Sequence, residues 1–183
     1  MRPAAYIAAM DERLLPICEL FRSNEGLFRA ALAGVGSGSG SGAGASDPHA
    51  AWLERSGEAN HLAFLAVHLT GARYYVVKFL GGGARDPLER YHEKARSIDD
   101  IAEFPPPAEV LDAWDEVAPL LDAALARATS DFLDDASGLP FPAPGPTRLD
   151  ALTFLAQHEA YHLGQMCLIR RIHGLPAAEW PRF

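Results

Sequence analysis

The stretch Thr147–Gly174, "TRLDALTFLAQHEAYHLGQMCLIRRIHG", carries its own start and stop signals. Thr147 followed three residues later by Asp150 is a capping pair, a hydroxyl for an orphan amide of the first turn and a carboxylate that reaches back. At the other end Arg170, Arg171 and His173 put positive charge on the last turn. Gly174 follows as a glycine cap, and Pro176 blocks continuation. The stretch reads as one long amphipathic helix with two histidines, His158 and His162, one turn apart in its middle.

The preceding sequence reads the same way. Leu14, Ile17, Phe21, Phe28 and Leu32 recur at helical spacing and predict a first helix ending near Ala33, with Pro16 marking either its start or a kink. A second helix is expected from about Gly57 to Leu80, with Leu65, His68, Ala72, Tyr75 and Phe79 on one stripe before "GGG" ends it. A third starts at Pro107, a residue suited to a first turn, and carries Val110, Trp114, Val117, Leu121 and Leu125 every three or four positions. Pro119 falls inside it, where a kink is expected. Gly81 to Pro107 is a long connection with room for a short helix. "GVGSGSGSGAGASDP", at about 34–47, cannot bury a face and reads as a flexible Gly/Ser-rich connection. No strand pattern occurs. The expectation is an all-α chain, a four-helix bundle forming a single domain over 1–183. The connections are long enough that a simple up-down-up-down order is not assured.

The composition narrows the classes of function. Sixteen Lys and Arg against 24 Asp and Glu give a formal charge of −8, with the basic residues dispersed, so nucleic acid is a poor partner. Cys18 and Cys167 are nearly a chain length apart and form no CxxC, so neither a disulfide scaffold nor a cysteine-based zinc site is suggested, and a reducing cytoplasm fits best. The N-terminal apolar run is too short for a signal peptide, and nothing approaches the ~18 apolar residues of a membrane span.

"HEAYH" raises the HExxH zinc-protease reading, in which Glu159 would be the general base. That motif needs a third ligand downstream, but Leu168 stands where an extended metzincin motif wants histidine, and only 21 residues follow His162. Glu179 is the sole acidic side chain among them. The alternative source of a ligand is the second helix. His61 and His68 share a face there but stand roughly 10.5 Å apart along the axis, so only one can meet an ion held by His158 and His162, themselves roughly 6 Å apart. His68 is midway along its helix, level with the pair, and His61 is two turns nearer the start. A three-histidine site from two core helices, with an open position, follows from this geometry.

The residues also match a family. "LAFLAVHLTGARYYVVKFL", a third helix with "LDAWDEV", and "LTFLAQHEAYHLGQMCLIRRIHG" together resemble the DinB-like (YfiT-like) metalloprotein superfamily over Leu14 to Gly174, with the Gly/Ser tract as a departure. The resemblance implies a four-helix bundle holding a divalent metal through one histidine of the second helix and an HxxxH pair of the fourth. Carried over by position these are His68, His158 and His162, and the "HLGQ" continuation with Gln165 strengthens the match. Zinc or nickel suits borderline imidazole ligands best, with manganese a further candidate. Thiol-dependent transferases and isomerases occur in this superfamily, as do members described only as metal-dependent hydrolases. The expected activity is S-transfer to a small molecule from a low-molecular-weight thiol. The alternatives are a hydrolase activating water and a metal-containing binding or stress protein without turnover. No catalytic residue is assigned. Glu159, Gln165, Tyr161 and Arg73 are candidates, with Tyr75 a further one to line the cleft, whereas His92 and His49 read as solvated and Cys167 as a small core residue. A homodimer is expected.

Overall fold

The computed structural model describes residues 10–36, 48–93, 97–139 and 142–180. The Gly/Ser tract lies outside them from residue 37 to 47, as do the N-terminal nine residues and the side chain of His49. The regular structure among the described residues is helical, with α-helices α1 (Leu15–Leu32), α2 (Pro48–Leu53), α3 (Leu62–Phe79), α4 (Glu89–His92), α5 (Pro107–Arg127), α6 (Ser130–Asp134) and α7 (Arg148–Ile172). No strand forms among them, and no helix is long and apolar enough to cross a membrane.

Local chemistry sets the ends of the long helices. Pro16 occupies the first turn of α1 and Pro107 that of α5, where the missing amide costs nothing. Thr147 and Asp150 form the expected capping box of α7, and Gly174 follows its last turn at φ 75°. Helix α5 continues through Pro119. Helix α3 departs from expectation, starting at Leu62 rather than near Gly57. Gly57 sits in a turn at φ 62°, and the ring of His61 accepts a hydrogen bond from the Phe64 amide, making a histidine the N-cap.

Two core clusters fix how the helices run. At one end late residues of α1 and α7, such as Phe28, Leu32, Leu163 and Met166, meet early residues of α3 and α5, such as Leu62, Leu65, Val110 and Trp114. At the other end early residues of α1 and α7, such as Ile17, Phe21, Leu152 and Leu155, meet the late residues Tyr74, Val77, Leu121 and Leu125. Helices α1 and α7 are therefore parallel to each other, and α3 and α5 run together in the opposite sense. The order is up-down-down-up. Helix α3 packs on α5 and α7, and α1 on α7 and α5. Each fully buried leucine contributes roughly 1.5–3 kcal/mol to this core.

The centre is a stack of rings and charge. Trp114 lies flat on Phe28, centroids 3.8 Å apart, and the guanidinium of Arg73 covers its other face at 3.8 Å. The stripe predicted for α3 is only partly a core stripe. Leu65 is fully buried, but Tyr75 is exposed and His68 and Ala72 are half-buried, so this side of α3 forms the wall of a cleft.

Candidate metal centre

His68 projects from the middle of α3, and His158 and His162 from the middle of α7, where the two helices pack together. Their four-residue spacing stacks the α7 pair on one face, and the antiparallel neighbour brings His68 to the same level. The Nε2 atoms of His68 and His158 are 3.2 Å apart, and those of His158 and His162 are 3.0 Å apart. One ligand atom from each of the three falls within 4.8 Å of the others. The rings meet edge to face at centroid distances of 4.4 to 5.0 Å.

The electrostatics suit a ligand set. Burial, reinforced by the neighbouring imidazoles, pushes His68 down to about 4, and the same causes push His158 down to about 4. Both rings are neutral at pH 7, each with a lone pair to offer. For His162 the tautomer follows from its partner: Nδ1–H donates to the Oε1 of Gln165 at 2.6 Å, which leaves Nε2 as an acceptor aimed at the cluster. Gln165 is held in turn by its amide, which donates to the Tyr161 hydroxyl at 3.3 Å. The Nδ1 of His158 is buried without a hydrogen-bond partner among the described residues, so this ring is oriented by packing against Phe154 and the other two imidazoles. Nitrogen ligands at about 2.0–2.1 Å from a tetrahedral ion stand about 3.3 Å apart, close to the two shorter separations here. The donor set fits a borderline divalent ion.

The structure separates the remaining candidates. Glu159 points away from the histidines into the core, 2 % exposed, and accepts two hydrogen bonds from Arg73 at 2.8 and 2.9 Å. It is structural, and the protease reading loses its base. Arg73, expected to line the cleft, is 1 % exposed and is committed to Glu159, the Phe21 carbonyl and the face of Trp114. Tyr161, another expected lining residue, is 64 % exposed and faces outward. Gln165 orients a ring. His61 spends its Nδ1 lone pair on the α3 cap and is absent from the cluster. Cys167 is half-buried against the core, and burial pushes its thiol up, away from nucleophilic use.

One cavity opens beside the cluster and a second adjoins it. The first, of about 350 Å³, is walled by His68, His158, Ala72, Tyr75, Phe154 and Leu155, together with Gly71 and His92. The other, of about 570 Å³, shares Gly71, Tyr75 and His92 with it and extends along Lys78, Gly82, Gly83, Arg85 and Asp86. The reading of His92 as a solvated side chain is thereby corrected. Its ring is partly buried, paired with Asp86 at 2.9 Å, and stands in the wall common to both cavities. Sequence reasoning missed this pair because it lies in the irregular connection, where no periodicity aligns it with α3. The available signal was Gly71, a helix-interior glycine one turn after His68.

The family profile described as the DinB superfamily matches residues 26–166, well over half of the chain and including all three clustered histidines. No curated protein matches the sequence.

Proposed function

The chain belongs to the DinB superfamily, and from that premise we propose that His68, His158 and His162 hold one divalent ion, zinc or nickel first and manganese next, in an enzyme that transfers a low-molecular-weight thiol to a small apolar electrophile. The observation that carries the proposal is the convergence of three imidazoles at the edge of a cavity whose wall is largely apolar. A bound ion supplies Lewis acidity and, with three neutral ligands, retains its full positive charge to favour an anionic sulfur over a neutral one. The chain's own residues supply the rest. Gln165 fixes the tautomer of His162, while Phe154, Leu155 and Ala72 offer an apolar surface on which an electrophile can be oriented and from which water is excluded. The commitment of Glu159 to Arg73 speaks against hydrolysis of the HExxH type, in which that carboxylate would activate water.

Elemental analysis of purified protein should find about one divalent ion per chain, retained by His61→Ala and lost from His68→Ala, His158→Ala and His162→Ala. The loaded protein should then conjugate a chlorinated or epoxide compound to glutathione, cysteine, bacillithiol or mycothiol. Turnover of an ester or amide with no conjugation would make it a hydrolase. A loaded protein inert to both would be a binding protein, and a wild type that takes up no zinc, nickel or manganese would end the metal reading.

A further inference from the structure

Gly71 sits inside α3, three residues after His68 and so on the same face. Glycine is disfavoured in a helix interior relative to alanine, and here its bare backbone admits particular neighbours. A Cβ at this position would lie 2.9 Å from Nε2 of His92, 3.0 Å from its Cε1 and 3.1 Å from Oδ2 of Asp86. An imidazole and a carboxylate are laid directly on the helix backbone, one turn along from a histidine of the cluster.

Their mutual geometry is that of an oriented base. His92 Nε2 donates to Asp86 Oδ2 at 2.9 Å, and because a carboxylate only accepts, the ring hydrogen is on Nε2. Asp86 is fixed in its turn, its other oxygen accepting from the Leu88 amide at 2.8 Å and its side chain only 10 % exposed. A neutral His92 then carries its lone pair on Nδ1, on a ring that lines the same cavity as His68 and His158. A surface ion pair would need neither the glycine seat nor a place in the wall of two cavities. With Glu159 sequestered, His92 is the base outside the histidine cluster in the wall of the smaller cavity.

We infer that His92, oriented by Asp86, is the general base that deprotonates the attacking thiol in this cavity, an assignment that rests on the transferase reading above. The S–H bond breaks as its proton passes to Nδ1 of His92. The imidazolium is stabilised by Asp86, and the sulfur's electron pair forms the bond to the electrophilic carbon while the leaving group departs with its own pair.

The test counts protons as well as products. Zinc-loaded protein is titrated with glutathione at about pH 8 by calorimetry in two buffers of different ionisation enthalpy, for the wild type and His92→Gln. The wild type should release about one proton fewer per thiol bound, because His92 keeps it. His92→Gln should retain the ion but conjugate at least about 100-fold more slowly. Gly71→Ala, which displaces the pair without replacing either side chain, should slow conjugation in the same direction with metal content unchanged. Equal proton release by wild type and His92→Gln, or conjugation unchanged in both variants, overturns the assignment while the transferase reading stands. A loaded wild type that binds none of the thiols brings down that reading, and this assignment with it.

Discussion

Replacing Glu159 by glutamine should cost about 3 kcal/mol of stability without removing the ion. The carboxylate and the guanidinium of Arg73 are 2 % and 1 % exposed and share two hydrogen bonds of 2.8 and 2.9 Å, so the pair is held away from water with good geometry. A glutamine keeps one acceptor but loses the charge and turns an amide N–H2 toward another donor. Breaking a buried pair on one side costs about 3–5 kcal/mol, because the surviving charge stays desolvated and uncompensated. The Phe21 carbonyl at 2.6 Å and the face of Trp114 at 3.8 Å still meet the guanidinium, which places the expected cost at the lower end. In a chain of this size that is a fall in Tm of roughly 6–12 °C. Urea unfolding followed by circular dichroism would measure it, with metal content determined on the same samples. The double variant Arg73→Met, Glu159→Met should recover most of the loss, since both charges leave together. A Glu159→Gln protein within about 1 kcal/mol of wild type would refute the reasoning. A stable variant that loses metal-dependent turnover would return Glu159 to the role of base.

Gln165→Leu removes the acceptor that fixes the His162 tautomer and should weaken metal affinity about 10–100-fold with little loss of helix content, measurable by competition with a chelating dye. His61, 6 % exposed and pushed down to about 4 chiefly by burial, binds its proton near 6.5 once unfolded. Between those values the unfolded chain takes up the proton first, so wild type should lose up to about 3 kcal/mol more than His61→Asn as the pH falls from 6.5 to about 4, and nothing extra above 7. Parallel urea midpoints for the two proteins across that window would refute this. Tyr161, Leu168 and Ile172 are exposed along α7, and a second copy of the chain is the proposed cover. Sedimentation at tens of micromolar should show a dimer that Leu168→Glu shifts toward monomer, and a monomeric wild type would dispose of the idea.

Where a helix announces its own ends, the sequence was easy to interpret. Pro16, Pro107, the Thr147–Asp150 box and Gly174 act through bonds within one turn, so they can be seen in the primary structure. Helices α2 and α6, six and five residues long, give periodicity nothing to measure. The first is held from far away, by the Trp52 indole donating to the Pro105 carbonyl at 3.1 Å. The three clustered histidines were legible because a one-turn spacing in α7 and a mid-helix position in α3 place them level before any coordinates are known. Arg73 and Glu159, 86 residues apart, were not. Each looks like an ordinary charged helix residue, and only the docking of α3 on α7 shows that they face each other in the core. His92 and Asp86 stayed hidden for the opposite reason: they are close in sequence but sit in a connection without a repeating pattern.

The up-down-down-up order has a consequence for how the molecule comes together. Helices α3 and α5 are consecutive long helices and pack on each other, but α7, besides its contact with the short α6, finds its two long neighbours, α1 and α3, only at long separations along the chain. Contacts of that kind raise the contact order, and their loop-closure cost falls on the step that seats α7. Until that step, the two histidines of α7 and the one of α3 are strangers, and so are the two halves of the buried ion pair. Seating α7 therefore completes the charge neutralisation of the core and the histidine cluster in one event. A chain caught halfway would carry an unpaired guanidinium among apolar rings, and that strongly disfavours any compact state lacking the last long helix.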